Sequence, residues 1–290
     1  TIDRNICFEN FHAGIGHNNA HPLVTGNVCH DNIRAGIGVS EGASPVVRGN
    51  RCHGNRRAGI GIRTGGDTRP VIEDNDCYEN EMAGIGVEEE AAPILRANRC
   101  RHNKLAGIGC QDRAAPLIVG NHCYENGQSG IGANSANPVI VRNHIEKNGT
   151  AGIGIEGGSE ALIIENTCEE NRLVAIGIPN GGKAVLRKNT LVRTGGAPPI
   201  VAILGGGEAV LIDNIIRGGG VAGVMLDGRL RAIDNVIQGE NRGTGILVRP
   251  DGEATLAGNQ IDGYRTPVRE MKGGTGRAKD KPRGKKSDGK

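Results

Sequence analysis

An asparagine returns every 21 to 25 residues along this chain, at Asn5, Asn27, Asn50, Asn75, Asn98, Asn121, Asn143, Asn166, Asn189, Asn214, Asn235 and Asn259. The early copies share a longer frame, Asn-x-Cys-x-x-Asn followed by Ala-Gly-Ile-Gly, as in NRCHGNRRAGIGI from Asn50 to Ile62. A catalytic motif is normally singular, whereas a packing rule is obeyed wherever the same packing recurs. A fixed period of about 23 residues therefore predicts a solenoid of stacked coils.

Each copy holds three short segments that alternate apolar with small or polar residues, separated by Gly, Asn, Ser or charged clusters: Asn-x-Cys-x, Ala-Gly-Ile-Gly-Val and Pro-Val-Val-x-x. Alternation with period two is a strand pattern, not a helical one. Three strands per copy, stacked in register, predict an all-β parallel β-helix of 11 to 12 coils. At the ~4.8 Å spacing between strands, its length is roughly 55 Å.

Period two also predicts the faces. In the glycine segment, Ala58, Ile60 and Ile62 are expected to point inward and both glycine columns, Gly59 and Gly61 with their equivalents, outward. The cysteines point inward, and the leading asparagines form a hydrogen-bonded ladder at the turn before them. Proline at the start of the third strand, as at Pro45, Pro70 and Pro93, occupies a first-residue position that proline tolerates. That strand has two adjacent aliphatic columns, Val46, Val71, Ile94, Leu117 and Val139 beside Val47, Ile72, Leu95, Ile118 and Ile140. Strict alternation puts one of them outside, so either the strand bends or an apolar stripe meets another surface. From Thr190 onward the copies lose Cys and Gly-Ile-Gly, which marks continuation and cap.

The recurring Asn-x-Cys/Ile, Asn, Gly-Ile and Pro-x-Ile-x-x-Asn spacing over residues 5–264 resembles the right-handed parallel β-helix repeats of the pectin-lyase-like superfamily, including carbohydrate-binding and sugar-hydrolase (CASH) and NosD-like domains. The resemblance implies a right-handed helix, an extracytoplasmic setting and polysaccharide substrates. The matching residues are structural, so activity must be argued from other positions.

Composition fits this architecture. The 290 residues include 49 Gly, no Trp, two Phe and three Tyr, so the core must be built from Ile, Val, Leu, Ala and Cys. One domain is expected over residues 1–264. Residues 265–290 carry ten Lys or Arg against Glu270, Asp280 and Asp288, a charge of +7 beside −4 for the rest, and are expected to form a disordered basic tail. Nucleic acid is an expected partner only through that tail. No apolar run approaches the ~20 residues of a membrane span. The chain opens at Thr1 directly in a repeat and shows no signal-peptide pattern, which suggests a processed or trimmed chain.

Seven of the eight cysteines share one repeat position, where later copies carry Ile145, Leu191, Ile216, Ile237 and Ile261. Interchange with aliphatics marks packing thiols more than metal or redox ligands, and Cys110, in the valine column, reads the same way. Unpaired thiols argue for a reducing compartment, against the extracytoplasmic setting that the fold implies. Gly-Ile-Gly within a stacked strand is no phosphate loop, which needs a strand feeding a helix. A flat glycine stripe instead admits a partner chain, a flat polymer or a packed loop. Ice binding would need ordered threonine arrays there.

The residues flanking each cysteine are chemically the richest. Arg51/His53, Asp76/Tyr78, Arg99/Arg101, His122/Tyr124 and His144/Glu146 form one expected outward wall. Lyases and epimerases of the resembled superfamily use such a mixture: arginine neutralises a uronate carboxylate, His or Tyr exchanges the neighbouring proton, and a carboxylate orients the base. On that analogy Arg99 and Arg101 bind anions, His122 and Tyr124 act as base and acid, and Asp76 orients. Arg51, His53, Tyr78 and His144 extend the substrate surface. No resident cofactor is expected. Glu88, Glu90 and Asp112 are weak candidates for Ca2+ or an acid pair, set against a solvated ion network with Arg63 and Arg113. The leading expectation is binding, with or without processing, of an anionic polysaccharide. The rival is a non-catalytic scaffold that assembles with itself or a partner protein through the glycine stripe or the aliphatic column.

Overall fold

The computed structural model describes residues 1–193 and 196–271, and these form a right-handed parallel β-solenoid of twelve coils. Three sheets of twelve strands each run its length. The Cys sheet gathers the Asn-x-Cys strands from Ile6–Phe8 to Gln260–Asp262, and the Gly sheet those from Ile15–Asn18 to Thr266–Glu270. The Pro sheet runs from Ile2–Asp3 to Glu253–Ala257. All strand pairs are parallel and join residues one repeat apart, for example Cys77 beside Cys52 and Cys100.

The leading asparagines form the expected ladder. From Asn5 to Asn235, each donates its backbone N–H and its Nδ2 to the Oδ1 of the asparagine in the next coil; Asn50 reaches Asn75 Oδ1 at 2.9 and 3.0 Å. Its Nδ2 also donates to Val24 O of the preceding coil at 2.9 Å, so one side chain ties three coils. A second ladder, not anticipated, runs through the other asparagine of the frame, from Asn10 and Asn32 to Asn171, with Asn55 Nδ2 donating to Asn80 Oδ1 at 3.0 Å. Above Asn171 the guanidinium of Arg193 takes over and donates to the carbonyls of Asn171 and Arg172 at 3.3 and 2.9 Å.

The cysteines are all free, and all but Cys7 are buried. Burial pushes the Cys110 thiol up to about 12 and that of Cys168 higher still. Ile60 and Ile62 point inward as expected.

The glycine strand corrects one expectation. Gly59 does not belong to the exterior: a Cβ there would lie 2.7 Å from Gly84 O, 2.9 Å from Asn80 Nδ2 and 3.1 Å from Cys77 Cβ. The whole first glycine column fills the narrow corner between the second ladder and the cysteines. Ala35, Ala58 and Ala83, expected inside, are buried but not part of the main core cluster; they stand beside the outer column, since a Cβ on Gly61 would meet Ala35 at 3.4 Å and one on Gly86 would meet Ala58 at 3.6 Å. The reason is local. The strand starts only at Ile60; Ala58 and Gly59 lie in the bend before it, where period two no longer applies.

In the Pro sheet the column beginning Val47, Ile72 and Leu95 is fully buried, and its neighbour faces out. Further along, Glu160, Lys183, Glu208, Arg229 and Glu253 stack in register with alternating charge, with Lys183 to Glu160 at 3.2 Å and Arg229 to Glu208 at 3.1 Å. Opposite charges directly across strands support the pairing. The last strand, Thr266–Glu270, pairs with Thr244–Val248, so the solenoid continues past the boundary read at residue 264. The rest of the basic tail lies outside the described residues.

Candidate functional site

The Cys sheet presents its outward residues in two columns. One stacks Phe8, His30, His53 and Tyr78, with ring centroids 5.2, 5.1 and 4.7 Å apart and planes within 12° of parallel. Arg101 continues it, its guanidinium 4.1 Å from the Tyr78 ring centroid. Although aromatic residues are scarce, three of the five Phe and Tyr residues stand on this one wall. Within the stack each ring covers its neighbour's face, so His53 and Tyr78 offer a ligand their edges. Burial lowers the His53 pKa and raises that of the Tyr78 hydroxyl.

The other column carries Arg51, Asp76, Arg99, His122 and His144 in register. Asp76 pairs with Arg101 at 3.0 Å and so serves that arginine, not His122. Arg101 is thereby held between a carboxylate and a tyrosine. Arg51 and Arg99 are exposed, and neither has a carboxylate partner among the described residues. They are the wall's available cations.

One coil above Arg99, the His122 and Tyr124 rings lie 4.4 Å apart, and His144 stands 4.9 Å from His122. The carboxylate beside His122 is Glu146, Oε1 to Nε2 at 3.0 Å. Lys147 bonds the other Glu146 oxygen at 3.0 Å and, with His122, holds this carboxyl below the usual range. The sequence reading placed Glu146 on the wall without giving it a role. The signal was present: His-x-Glu in one strand puts both side chains on one face, one rung above His122.

The weak acidic candidates separate. Glu90 is paired with Arg113, while Glu88 lies half-buried on the Gly sheet, its pKa raised by burial and by Asp112 and Glu89. Among the described residues, Glu88, Glu90 and Asp112 do not converge on one point.

Two other surfaces are shaped. The outer glycine column and its alanines floor a groove of about 580 Å3 on the Gly sheet, flanked by Arg34, Arg57 and Met82 before the strand and by Arg63 and Glu88 after it. On the Pro sheet, Leu23, Ile94, Leu117 and Leu162 are 38% to 42% exposed in one column, and its C-terminal half borders a shallow groove of about 650 Å3.

The family profile described as right handed beta helix region matches residues 1–91 and 59–194. The chain belongs to the right-handed β-helix family. Among curated proteins, no sequence match was found for this β-helix chain. Among solved structures, the A-module of the mannuronan C-5 epimerase AlgE4 of Azotobacter vinelandii is similar with a TM-score of 0.58 at 14% identity, covering 87% of this chain and 91% of that one. A double mutant of the periplasmic alginate epimerase AlgG gives a TM-score of 0.58 at 13% identity, over 87% and 69% of the two chains. At these identities the likeness is one of fold. No helix among the described residues is long and apolar enough to cross a membrane.

Proposed function

We propose that this β-helix protein binds an anionic, uronate-containing polysaccharide along the wall of the Cys sheet and acts on it at His122 and Tyr124. The observation that carries the reading is the patch in which unpaired Arg99 lies one rung below an imidazole that faces both a tyrosine ring and a carboxylate. Arg99, extended by Arg51, neutralises the sugar carboxylate and so acidifies the C5 proton. His122 takes that proton, Glu146 orients the imidazole, and the electron pair forms the C4–C5 double bond as the C4–O bond breaks. Tyr124 gives its proton to the departing oxygen. Both groups rise from one flat sheet and reach the same face of a sugar, which supports elimination over epimerisation, where the proton returns from the opposite face. The two alginate epimerases of similar fold support a polysaccharide ligand.

An extracytoplasmic setting is compatible with the free thiols, because seven of the eight are buried where oxidants do not reach them.

A panel of uronate polymers tests the reading, with binding followed by titration and elimination by the absorbance of the conjugated double bond. Loss of a charged hydrogen bond of about 1.5–3 kcal/mol predicts that Arg99→Ala weakens binding at least about tenfold. His122→Ala should still bind but lose turnover. Binding and turnover unchanged in both variants would overturn the proposal.

The exposed aliphatic column of the Pro sheet favours a second reading, a scaffold that self-associates. Light scattering decides it: association at high concentration that disappears in Leu117→Lys/Leu162→Lys supports a scaffold, and a monomer throughout counts against it.

A further inference from the structure

His122–Tyr124 and His144–Glu146 are neighbouring strands in register, with His122 beside His144 and Tyr124 beside Glu146. Period two puts His144 and Glu146 on the same face of one strand, with His122 directly beside His144 and diagonal to Glu146. As a result two imidazole nitrogens crowd one carboxylate oxygen: His122 Nε2 lies 3.0 Å and His144 Nε2 3.6 Å from Glu146 Oε1. A second carboxylate, Glu169, stands in the next coil with Oε1 3.4 Å from His144 Nε2. The donor atoms of His122, His144 and Glu146 all lie within 4.8 Å of one another, and among the described residues no other three His, Cys, Asp or Glu side chains converge in this way.

We infer that His122, His144 and Glu146 form a three-residue site for a divalent transition-metal ion of the zinc class, with the fourth position open to solvent and Glu169 beside His144 at its rim. The spacings fit. Zinc bonds of about 2.0–2.1 Å to nitrogen and about 2.0–2.2 Å to oxygen imply tetrahedral ligand-to-ligand edges of roughly 3.3 Å, and the two contacts of Glu146 Oε1 with the imidazoles, 3.0 and 3.6 Å, bracket that length. Imidazole with carboxylate is a donor set suited to zinc, nickel or iron, whereas calcium and magnesium favour oxygen alone. Lys147 occupies Glu146 Oε2 and leaves Oε1 facing the imidazoles. The ligands stand on paired strands of a continuous sheet, which fixes their relative positions, and both imidazoles remain about two-fifths exposed, so an ion can enter from solvent.

The inference does not rest on the glycan reading, and the two make opposite demands on His122: an imidazole bound to a metal through Nε2 carries its remaining proton on Nδ1 and has no free nitrogen to act as a base. Calorimetric titration of the full chain with Zn2+ alone, without glycan, tests it. One saturable Zn2+ per chain is expected. His144→Ala and Glu146→Gln should each weaken binding by at least about tenfold, the lower bound even for loss of an outer-shell partner, with unchanged circular dichroism and melting showing that the fold is kept. Arg99→Ala should lose glycan but keep zinc, which separates failure of this inference from failure of the glycan reading. Cys7→Ser, which removes the part-exposed thiol, should also keep zinc, and Co2+ should bind without thiolate charge-transfer absorption. Absence of saturable binding, unchanged affinity in both ligand variants, or loss in Cys7→Ser would overturn the site.

Discussion

His17 occupies a core column of the Gly sheet whose next coils carry Val39 and Ile62. Its Nε2 is buried without a hydrogen-bond partner, and burial lowers its pKa. The unfolded chain therefore holds the proton more readily than the folded one, so this contribution to stability is present above the unfolded value of about 6.5. It is lost as pH falls from there through the lowered folded value. His17→Val should stabilise by about 1–2 kcal/mol at pH 7, since an unsatisfied buried polar group costs about 1–3 kcal/mol. The gap between variant and parent should widen toward pH 5 in thermal melts. Glycine substitutions give an equally local contrast. Gly84→Ala forces a Cβ to 2.8 Å from both Gly107 O and Asn103 Nδ2, whereas Gly86→Ala meets only Ala58 at 3.6 Å. Overpacking costs about 1–3 kcal/mol, so Gly84→Ala should lower the denaturation midpoint clearly and Gly86→Ala barely. The two glycines look alike in the sequence. What separates them is the short bend just before the strand, which an alternation rule cannot register.

The elements were most legible where one residue type served one contact in every coil. The leading asparagine is the clearest example, because its amide has the donors and the acceptor that coils above and below both require. Asn98 illustrates the energetics: it accepts from Asn75 N and Nδ2 at 3.1 and 3.0 Å and donates to Asn121 Oδ1 and Ile72 O at 3.0 and 2.9 Å, all inside the solenoid. Asn98→Ala strands several of these groups at about 1–3 kcal/mol each, so chemical denaturation should show a loss of about 3 kcal/mol or more. The second ladder stands in the same repeat frame, yet its side chains could not be aimed without the corner that Gly59 and its equivalents create. Arg193 was beyond reach for a different reason. It replaces an asparagine rung by chemistry rather than by type, and no repeat spacing identifies such a substitute.

For the whole molecule, the period implied the number of stacked coils and the three alternating segments within each copy implied the three sheets, because stacking neighbours is how a 23-residue unit buries its apolar face. The wall of the Cys sheet was legible as an alignment of residue types, and its pairings were not. Asp76 stood equally available to Arg101 and to the histidines until side-chain reach decided for Arg101, and Glu146 took the place beside His122. This division separates what is fixed on the wall from what is free to bind. The stacked rings and Arg101 are mutually satisfied, whereas Arg51 and Arg99 face solvent. The most direct measurement is the affinity for a uronate polymer, at one fixed ionic strength, of Arg51→Ala/Arg99→Ala compared with Arg34→Ala/Arg57→Ala, which removes the same charge from the groove on the Gly sheet. The wall variant should bind at least about tenfold more weakly and the groove variant within about twofold of the parent, on the scale of a charged hydrogen bond. Equal losses, or a larger loss from the groove variant, would contradict a binding surface on the Cys sheet.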